Sequence, residues 1–170
     1  DAALARALGR VPRGSGLIFR HYHMPEASRR ARFRTLGKLA RQRGHWLVLA
    51  GSASQARAWG ADAAYGSPER LAAGPALARL VTVHSLAELA RAHRMRASAV
   101  LLSPVLPTRS HPGGTLLGPL RFRLIAARAQ CPVIALGGMD ARRARALGAA
   151  RWAAIDAFCD KATRAIPADS

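Results

Sequence analysis

The chain has 170 residues, 50% of them hydrophobic, which suffices for a single domain over residues 1–170 with a buried core and excludes an intrinsically disordered protein. Basic residues outnumber acidic ones by 27 to 9, so the net charge of +18 predicts a surface that attracts anions, from phosphate esters to nucleic acid. No apolar run approaches the about 18 residues of a membrane-spanning helix, and we expect a cytoplasmic protein with no membrane partner.

The first part of the chain alternates between apolar runs and amphipathic segments. We predict strands over Gly16–Tyr22, His45–Ala50 and Ala63–Tyr65. Helices are predicted over Glu26–Arg43 and Ser54–Trp59, and Asp1–Leu8 is predicted to be the end of a helix that stops near Gly9. The arginines of Glu26–Arg43 are interpreted as a solvated helix face. Aromatic residues make up 5% of the chain and do not alternate with these arginines, which speaks against nucleic-acid binding.

The second part of the chain continues the same alternation. We predict strands over Leu80–Val83, Ala99–Ser103, Val133–Leu136 and Trp152–Ile155. Helices are predicted over Pro68–Ala73, from the capping box Ser85-Leu86-Ala87-Glu88 to Arg94, and from Pro119 to about Ala129. A last helix is predicted over Ala141–Leu147, between Asp140 and Gly148.

Strand and helix alternate in units of about 20–35 residues, which is typical of an α/β protein with a parallel sheet. We predict a (β/α)8 TIM barrel. Such a barrel has about eight strands and roughly seven are predicted here, so we expect the first strand to precede Asp1 or to be missing. An open doubly wound sheet is the alternative, but no G-x-G-x-x-G motif follows the first strand.

The stretch Ala99–Gly114 is the first candidate site. Its apolar run ends at Ser103-Pro104, and a long loop with Thr108, Ser110 and His111 follows. Ligands bind at the carboxyl ends of the strands in such folds, and long loops in compact domains are mostly functional. We therefore predict that this loop binds substrate.

Other strand ends carry further candidates. Arg20 and Tyr22 are two residues apart on a predicted strand and share a face, which favours an anion contact over a solvent-facing arginine. Thr82 and His84 share a face at the end of Leu80–Val83. A lone histidine is most often structural, but this one is predicted to lie at the rim where ligands bind.

Gly137-Gly138 lies between a predicted strand and a predicted helix. Such a junction either binds phosphate through glycine amides or forms a turn that needs positive φ, and both readings stay open. No metal site is predicted, because His21 and His23 lack a third ligand at matching spacing. Cys131 and Cys159 are expected to be reduced, buried thiols.

Three segments together resemble the thiamine phosphate synthase and thiazole tautomerase family. They are Thr82-Val83-His84-Ser85, the stretch Ser103–Gly113 and Pro132–Met139, with Gly60-Ala61-Asp62 as a shorter match. The resemblance implies a (β/α)8 barrel of thiamine biosynthesis. For the synthase it implies a transferase that condenses a hydroxymethylpyrimidine diphosphate with a thiazole phosphate, releases diphosphate and uses magnesium.

The resemblance also implies roles for individual residues. Arg20 matches a diphosphate-binding arginine, Thr82 a serine near the reacting centre, and Thr108 and Ser110 the loop hydroxyls. Gly137 and Gly138 match the thiazole-phosphate site. We add Tyr22 and His111 as substrate-binding residues, because they stand where the family has lysines.

Several family residues are replaced. The family's Asn-Asp pair, which helps to hold magnesium, is Ala50-Gly51 here, and a second magnesium aspartate falls near Glu69-Arg70. We therefore predict no metal ligands, and magnesium only if synthase activity is retained. Pro104 stands where the tautomerases have their catalytic histidine, so His84 is our candidate for catalytic proton transfer.

We accordingly expect a thiamine-phosphate diphosphorylase-type enzyme that binds a phosphorylated small molecule. The alternatives are a tautomerase-like enzyme and a catalytically degenerate barrel that binds a phosphate ligand. A homodimer is one assembly that we consider.

Overall fold

Seven parallel strands in residues 2–108 and 115–154, the part of the chain that the computed structural model describes, form one sheet. They are β1 (Gly16–Phe19), β2 (Trp46–Ala50), β3 (Ala63–Gly66), β4 (Ala78–Val83), β5 (Ala99–Leu102), β6 (Val133–Leu136) and β7 (Trp152–Ala153). Each strand pairs with the next one along the chain, without a reversal of order. A doubly wound sheet reverses its strand order, whereas a (β/α)8 barrel keeps it, so the predicted TIM-barrel fold is confirmed and the alternative is wrong.

Helices connect the strands and cover the outer face of the sheet. They are α1 (Ala2–Arg10), α2 (Glu26–Gln42), α3 (Ala53–Trp59), α4 (Pro68–Leu71), α5 (Leu86–Arg94), α6 (Gly118–Ala126) and α7 (Ala141–Leu147). Four of them begin at a side chain that accepts a hydrogen bond from the backbone N–H three residues further on. These capping residues are Ser52, Ser67, Ser85 and Asp140.

The two faces of the sheet bury two separate cores, because successive strand residues point to opposite sides. On the outer face Phe19, Leu49 and Leu102 pack against the helices. On the inner face one cluster contains side chains from all seven strands, from Ile18 of β1 to Ala153 of β7. A flat sheet would keep its outermost strands far apart, so the sheet curls around this inner core.

The strand registers bring the carboxyl ends of the strands to one edge. Val83 at the end of β4 pairs with Leu102 at the end of β5, and Leu136 at the end of β6 pairs with Ala153 of β7. We call this edge the mouth, and it consists of the segments that directly follow the strands, residues 20–25, 51–52, 67, 84–85, 103–108, 137–140 and 154.

The first strand is shorter than predicted. β1 ends at Phe19, so Arg20 and Tyr22 follow the strand instead of lying on it. The chain has to turn before α2 begins, and the N–H of Met24 donates to the carbonyl of His21 at 3.3 Å within that turn. The first helix also differs from the prediction, because α1 continues to Arg10 and does not stop at Gly9.

The remaining predictions differ from the structure by a few residues or agree with it. β6 and α7 have the predicted bounds, whereas α4, α6 and the strand from Ala99 are shorter than predicted. Of the predicted last strand, Ile155 lies outside the described residues.

Two findings concern the chain as a whole. None of the helices in the described ranges has the length and apolar character that crossing a bilayer requires. Cys131 is a free, half-buried thiol whose pKa is raised by burial, in agreement with a reduced cysteine. Cys159 lies outside the described residues.

The inner core predicts a difference between two leucine substitutions. Leu101→Ala removes a side chain that is 0% exposed, and we expect the free energy of unfolding to fall by about 2–5 kcal/mol. Leu120→Ala removes one that is 72% exposed and should change it by about 0.5 kcal/mol or less. Urea unfolding measures both, and equal losses would contradict a packed interior at Leu101.

Candidate anion-binding site at the mouth

Two guanidinium groups lie beside one aromatic ring where the chain leaves β1. The Cζ atom of Arg20 lies 5.8 Å from the ring centroid of Tyr22, and the Cζ atom of Arg29 lies 5.5 Å from the same centroid. Both distances are within cation–π range. Arg20 is half-buried and Tyr22 is exposed, so part of this cluster faces solvent. The predicted pair Arg20 and Tyr22 is therefore brought together by the turn after the strand.

Arg29 joins this cluster from α2. Its side chain is only 8% exposed, and its Nη2 donates to the carbonyl oxygen of Ala50, at the end of β2, at 2.7 Å. The rings of Phe19 and Trp59 also lie within 6 Å, with centroids 5.8 and 5.1 Å from Cζ. The interpretation of the α2 arginines as a solvated face is therefore wrong at Arg29.

Helical spacing could have revealed Arg29. It precedes Phe33, Leu36 and Ala40 by four, seven and eleven residues, and all three are buried. An arginine in line with an apolar stripe is expected to face the interior, where it needs polar partners. The shared charge of the α2 arginines hides this difference, whereas their positions around the helix reveal it.

Tyr65 is a further mouth residue that the sequence analysis missed. It ends the inner face of β3, pairs with Ala50 of β2 and is 7% exposed. Burial raises the pKa of its hydroxyl, and the guanidinium of Arg20 works in the opposite direction. Tyr65 is therefore a neutral hydrogen-bond donor close to Arg20. The sequence signal for Tyr65 is that it is a single aromatic residue in the predicted strand Ala63–Tyr65, whose other residues are alanines.

More positive charge surrounds the same turn. The ring of His21 stacks on Phe19 with centroids 4.3 Å apart and planes 10° apart. Its pKa is lowered, first by burial and then by His23, Arg32 and Arg29. Each added cation makes protonation of His21 less favourable. Burial is the main cause of the lowered pKa, and the neighbouring cations add to it at this end of β1.

His84 is held by a carboxylate from α5. Glu88 Oε2 lies 2.8 Å from His84 Nδ1 and accepts the backbone N–H of His84 at the same distance. Ser85 Oγ accepts the backbone N–H of Glu88 at 3.2 Å, which is the first bond of the predicted capping box, whereas the Glu88 carboxylate accepts the N–H of His84, one residue before the cap. The imidazole remains half-exposed, so the structure orients it without burying it.

Thr82 lies on the inner face of the sheet, in phase with Leu80. Its Oγ1 donates to the carbonyl oxygen of Gly66 at 3.3 Å. The hydroxyl is thus placed between β3 and β4, just below the mouth.

Gly137 and Gly138 pack against the loop that follows β5. Their φ angles are 97° and 62°, and a Cβ on Gly137 would lie 2.8 Å from Cα of Pro104. A Cβ on Gly138 would collide with the carbonyl oxygen of Pro107. Both glycines are therefore required by backbone shape and close approach, which explains them without a ligand. Thr108 follows Pro107 directly, so the backbone of this loop passes the glycine pair one residue before the threonine.

The helix after the glycine pair already has an anionic cap. Asp140 Oδ1 accepts the backbone N–H of Arg143 at 2.8 Å, and this bond lowers the pKa of the carboxyl group. Phosphate binding through the glycine amides stays a prediction. Ser110 and His111 lie outside the described residues, as do Arg109 and Asp156.

The described carboxylates do not fit a magnesium site. Glu69 pairs with Arg91 at 2.8 Å, and Asp62 accepts the N–H of Leu47 at the opposite edge of the sheet. Ala50 and Gly51, at the end of β2, carry no ligating side chain. Among residues 2–108 and 115–154, no three His, Cys, Asp or Glu side chains come together.

Comparison with known proteins gives a family and a structural relative. The family model described as thiamine monophosphate synthase matches residues 5–158. The structure of thiamine phosphate pyrophosphorylase from Pyrococcus furiosus is similar with a TM-score of 0.80 and 22% identity, over 96% of this chain and 83% of that one. A FabK mutant from Thermotoga maritima has a TM-score of 0.45 and 18% identity, over 92% and 49%. No curated protein matches the chain.

The packing of the glycine pair predicts unequal effects of two substitutions. Gly138→Ala and Gly148→Ala both place a side chain at positive φ, 62° and 75°, which costs about 1–2 kcal/mol. Only Gly138 also lacks room for a Cβ, whereas nothing lies within 4 Å of one on Gly148. We expect Gly138→Ala to lower the unfolding midpoint in urea clearly more than Gly148→Ala, and equal midpoints would refute the close contact.

Proposed function

The chain belongs to the thiamine monophosphate synthase family, and we propose that it acts as a thiamine phosphate synthase, condensing a hydroxymethylpyrimidine diphosphate with a thiazole phosphate. The observation that carries this proposal is the cluster of Arg20, Tyr22, Arg29 and Tyr65 at the mouth. It supplies fixed positive charge and a neutral hydroxyl donor where ligands bind in this fold.

The proposed reaction needs stabilisation of its leaving group. The bond between the pyrimidine methylene carbon and a diphosphate oxygen breaks, the thiazole nitrogen bonds to that carbon, and diphosphate leaves with the electron pair. Negative charge grows on the diphosphate as the bond breaks. Donors that are already in place stabilise that charge best, because they need not reorganise. Arg20 supplies charge and Tyr65 a hydroxyl for this role.

Two hydroxyls and the glycine pair complete the proposed substrate contacts. Thr82 lies just below the mouth, between β3 and β4. Thr108 follows Pro107, whose carbonyl oxygen lies against Gly138, and we place the thiazole phosphate at this junction. Ser110 and His111 remain proposed contacts from the same loop.

A second candidate function is binding of a phosphorylated ligand without catalysis. It is favoured by the end of β2, where Ala50 and Gly51 offer no oxygen ligand from a side chain. The two functions differ in one outcome, because only the synthase forms thiamine phosphate from both substrates.

Purified protein supplied with both substrates and Mg²⁺ should form thiamine phosphate, measured by chromatography of the product. Arg20→Met should weaken binding of the pyrimidine diphosphate by about tenfold or more, since a charged hydrogen bond is lost. Arg34→Met, at an exposed position of α2, is the control and should bind normally. Binding without product favours the second candidate, and absence of both contradicts the proposal.

The condensation described above moves no proton, so we assign His84 to proton transfer in the tautomerase-like alternative. The carboxylate of Glu88 accepts from Nδ1–H in the arrangement we assign, which leaves Nε2 able to accept a proton. With a thiazole phosphate as the substrate, we expect His84→Ala to lower the kcat of tautomerisation by about 100-fold, the lower range for general acid–base catalysis, with little change in KM. Glu88→Gln should lower kcat by less.

Steady-state kinetics of wild type, His84→Ala and Glu88→Gln measure these effects. Ser85→Ala removes a capping bond of α5 without touching the imidazole and controls for damage to the helix. Unchanged turnover in His84→Ala would dismiss the catalytic role.

A further inference from the structure

We propose that Arg29 provides the fixed positive charge that a divalent cation would otherwise supply at this mouth, so that diphosphate binds without metal. The inference rests on the proposed function, because it concerns the same site. It goes further in assigning the charge that holds the diphosphate to a side chain of α2.

The first argument is that a guanidinium, and no ligating side chain, stands at the end of β2. The family resemblance places magnesium-binding residues at Ala50-Gly51, where this chain has a methyl group and a hydrogen atom. The side-chain amide of Gln55 lies beside Gly51, with Oε1 2.5 Å from the position of a Cβ. The carbonyl oxygen of Ala50 already accepts a hydrogen bond from Nη2 of Arg29 at 2.7 Å. A guanidinium therefore stands at the strand end where a metal ligand is expected.

The second argument is that the buried charge of Arg29 has no anionic partner within residues 2–108 and 115–154. The side chain is 8% exposed, and no described carboxylate pairs with it. Its Nε is buried and has no hydrogen-bond partner among the described residues. A guanidinium cannot escape this situation by losing its proton. Burial of an uncompensated charge is unfavourable, so an anion that approaches the mouth would be strongly attracted.

The third argument is the number and position of the charges. Arg20 and Arg29 lie beside the same ring of Tyr22, so the two guanidinium groups together match the charge of one divalent cation. Arg29 is held among the rings of Phe19, Tyr22 and Trp59, which fixes its position before any ligand binds. A free metal ion would be repelled by this arrangement, whereas diphosphate would not.

Isothermal titration with inorganic diphosphate tests the inference on the intact protein. Wild type should bind diphosphate in the presence of EDTA at least as tightly as in the presence of Mg²⁺. Magnesium would neutralise part of the charge of diphosphate, and the described part of this site offers no carboxylates to bind the metal in return. Arg29→Met should weaken binding by about tenfold or more in EDTA, and Arg29→Lys should restore part of it. Arg30→Met, at the adjacent exposed position of α2, should stay within about twofold of wild type.

The pKa of His21 gives an independent readout, followed by its ring protons in NMR. Arg29 contributes to lowering this pKa, together with burial, His23 and Arg32. Arg29→Met should therefore raise it, and diphosphate bound to wild type should raise it as well. If Arg29 had a merely structural role, diphosphate would raise the pKa of His21 equally in wild type and in Arg29→Met, whereas the inference predicts a smaller rise in the variant.

The outcomes separate this inference from the proposed function. Diphosphate binding that needs Mg²⁺ would overturn the inference and leave the proposed function intact, and this result needs no variant to fold. Equal affinities of Arg29→Met and Arg30→Met would also overturn it. Absence of diphosphate binding both with and without Mg²⁺ would overturn the two together.

Discussion

The hydrogen bond from Arg29 to the carbonyl of Ala50 ties helix α2 to the end of strand β2, and the position of the buried charge beside the mouth depends on it. It brings a charged group into a largely apolar layer between the sheet and the helix. The surrounding rings and one carbonyl oxygen give it a defined position. Arg29 is thus a buried positive charge, although most arginines of the described residues lie at the surface.

The sheet and this interaction depend on each other. Pairing in chain order brings Ala50 beside Tyr65, and the short first strand frees Arg20 and Tyr22 to turn towards both. The inner core below them is aliphatic, with Val48, Ala63 and Leu101 among its members. Arg20, Tyr22 and Tyr65 thus lie at the end of an apolar core, where charges are less screened than in open water.

Local signals explain which parts of this structure can be predicted from the sequence. The bounds of β6 and α7 agree with the prediction, because Pro132, Asp140 and Gly148 mark their ends. The end of β1 and the burial of Arg29 and Tyr65 were missed. They depend on which residues meet across the sheet and under α2, and no single segment of the chain carries that information. Half of the cluster of Arg20, Tyr22, Arg29 and Tyr65 belongs to this second kind.

The contact of Gly137 and Gly138 with Pro104 and Pro107 joins two loops that are far apart along the chain. The carbonyls of Leu136 and Gly137 accept the N–H groups of Val105 and Leu106, at 2.9 and 3.2 Å, so the loops share backbone bonds as well. An insertion in one loop would displace the other. A change in the shape of this part of the mouth therefore requires both loops to change together, and grafting one of them alone onto this barrel would transfer only half of a matched pair.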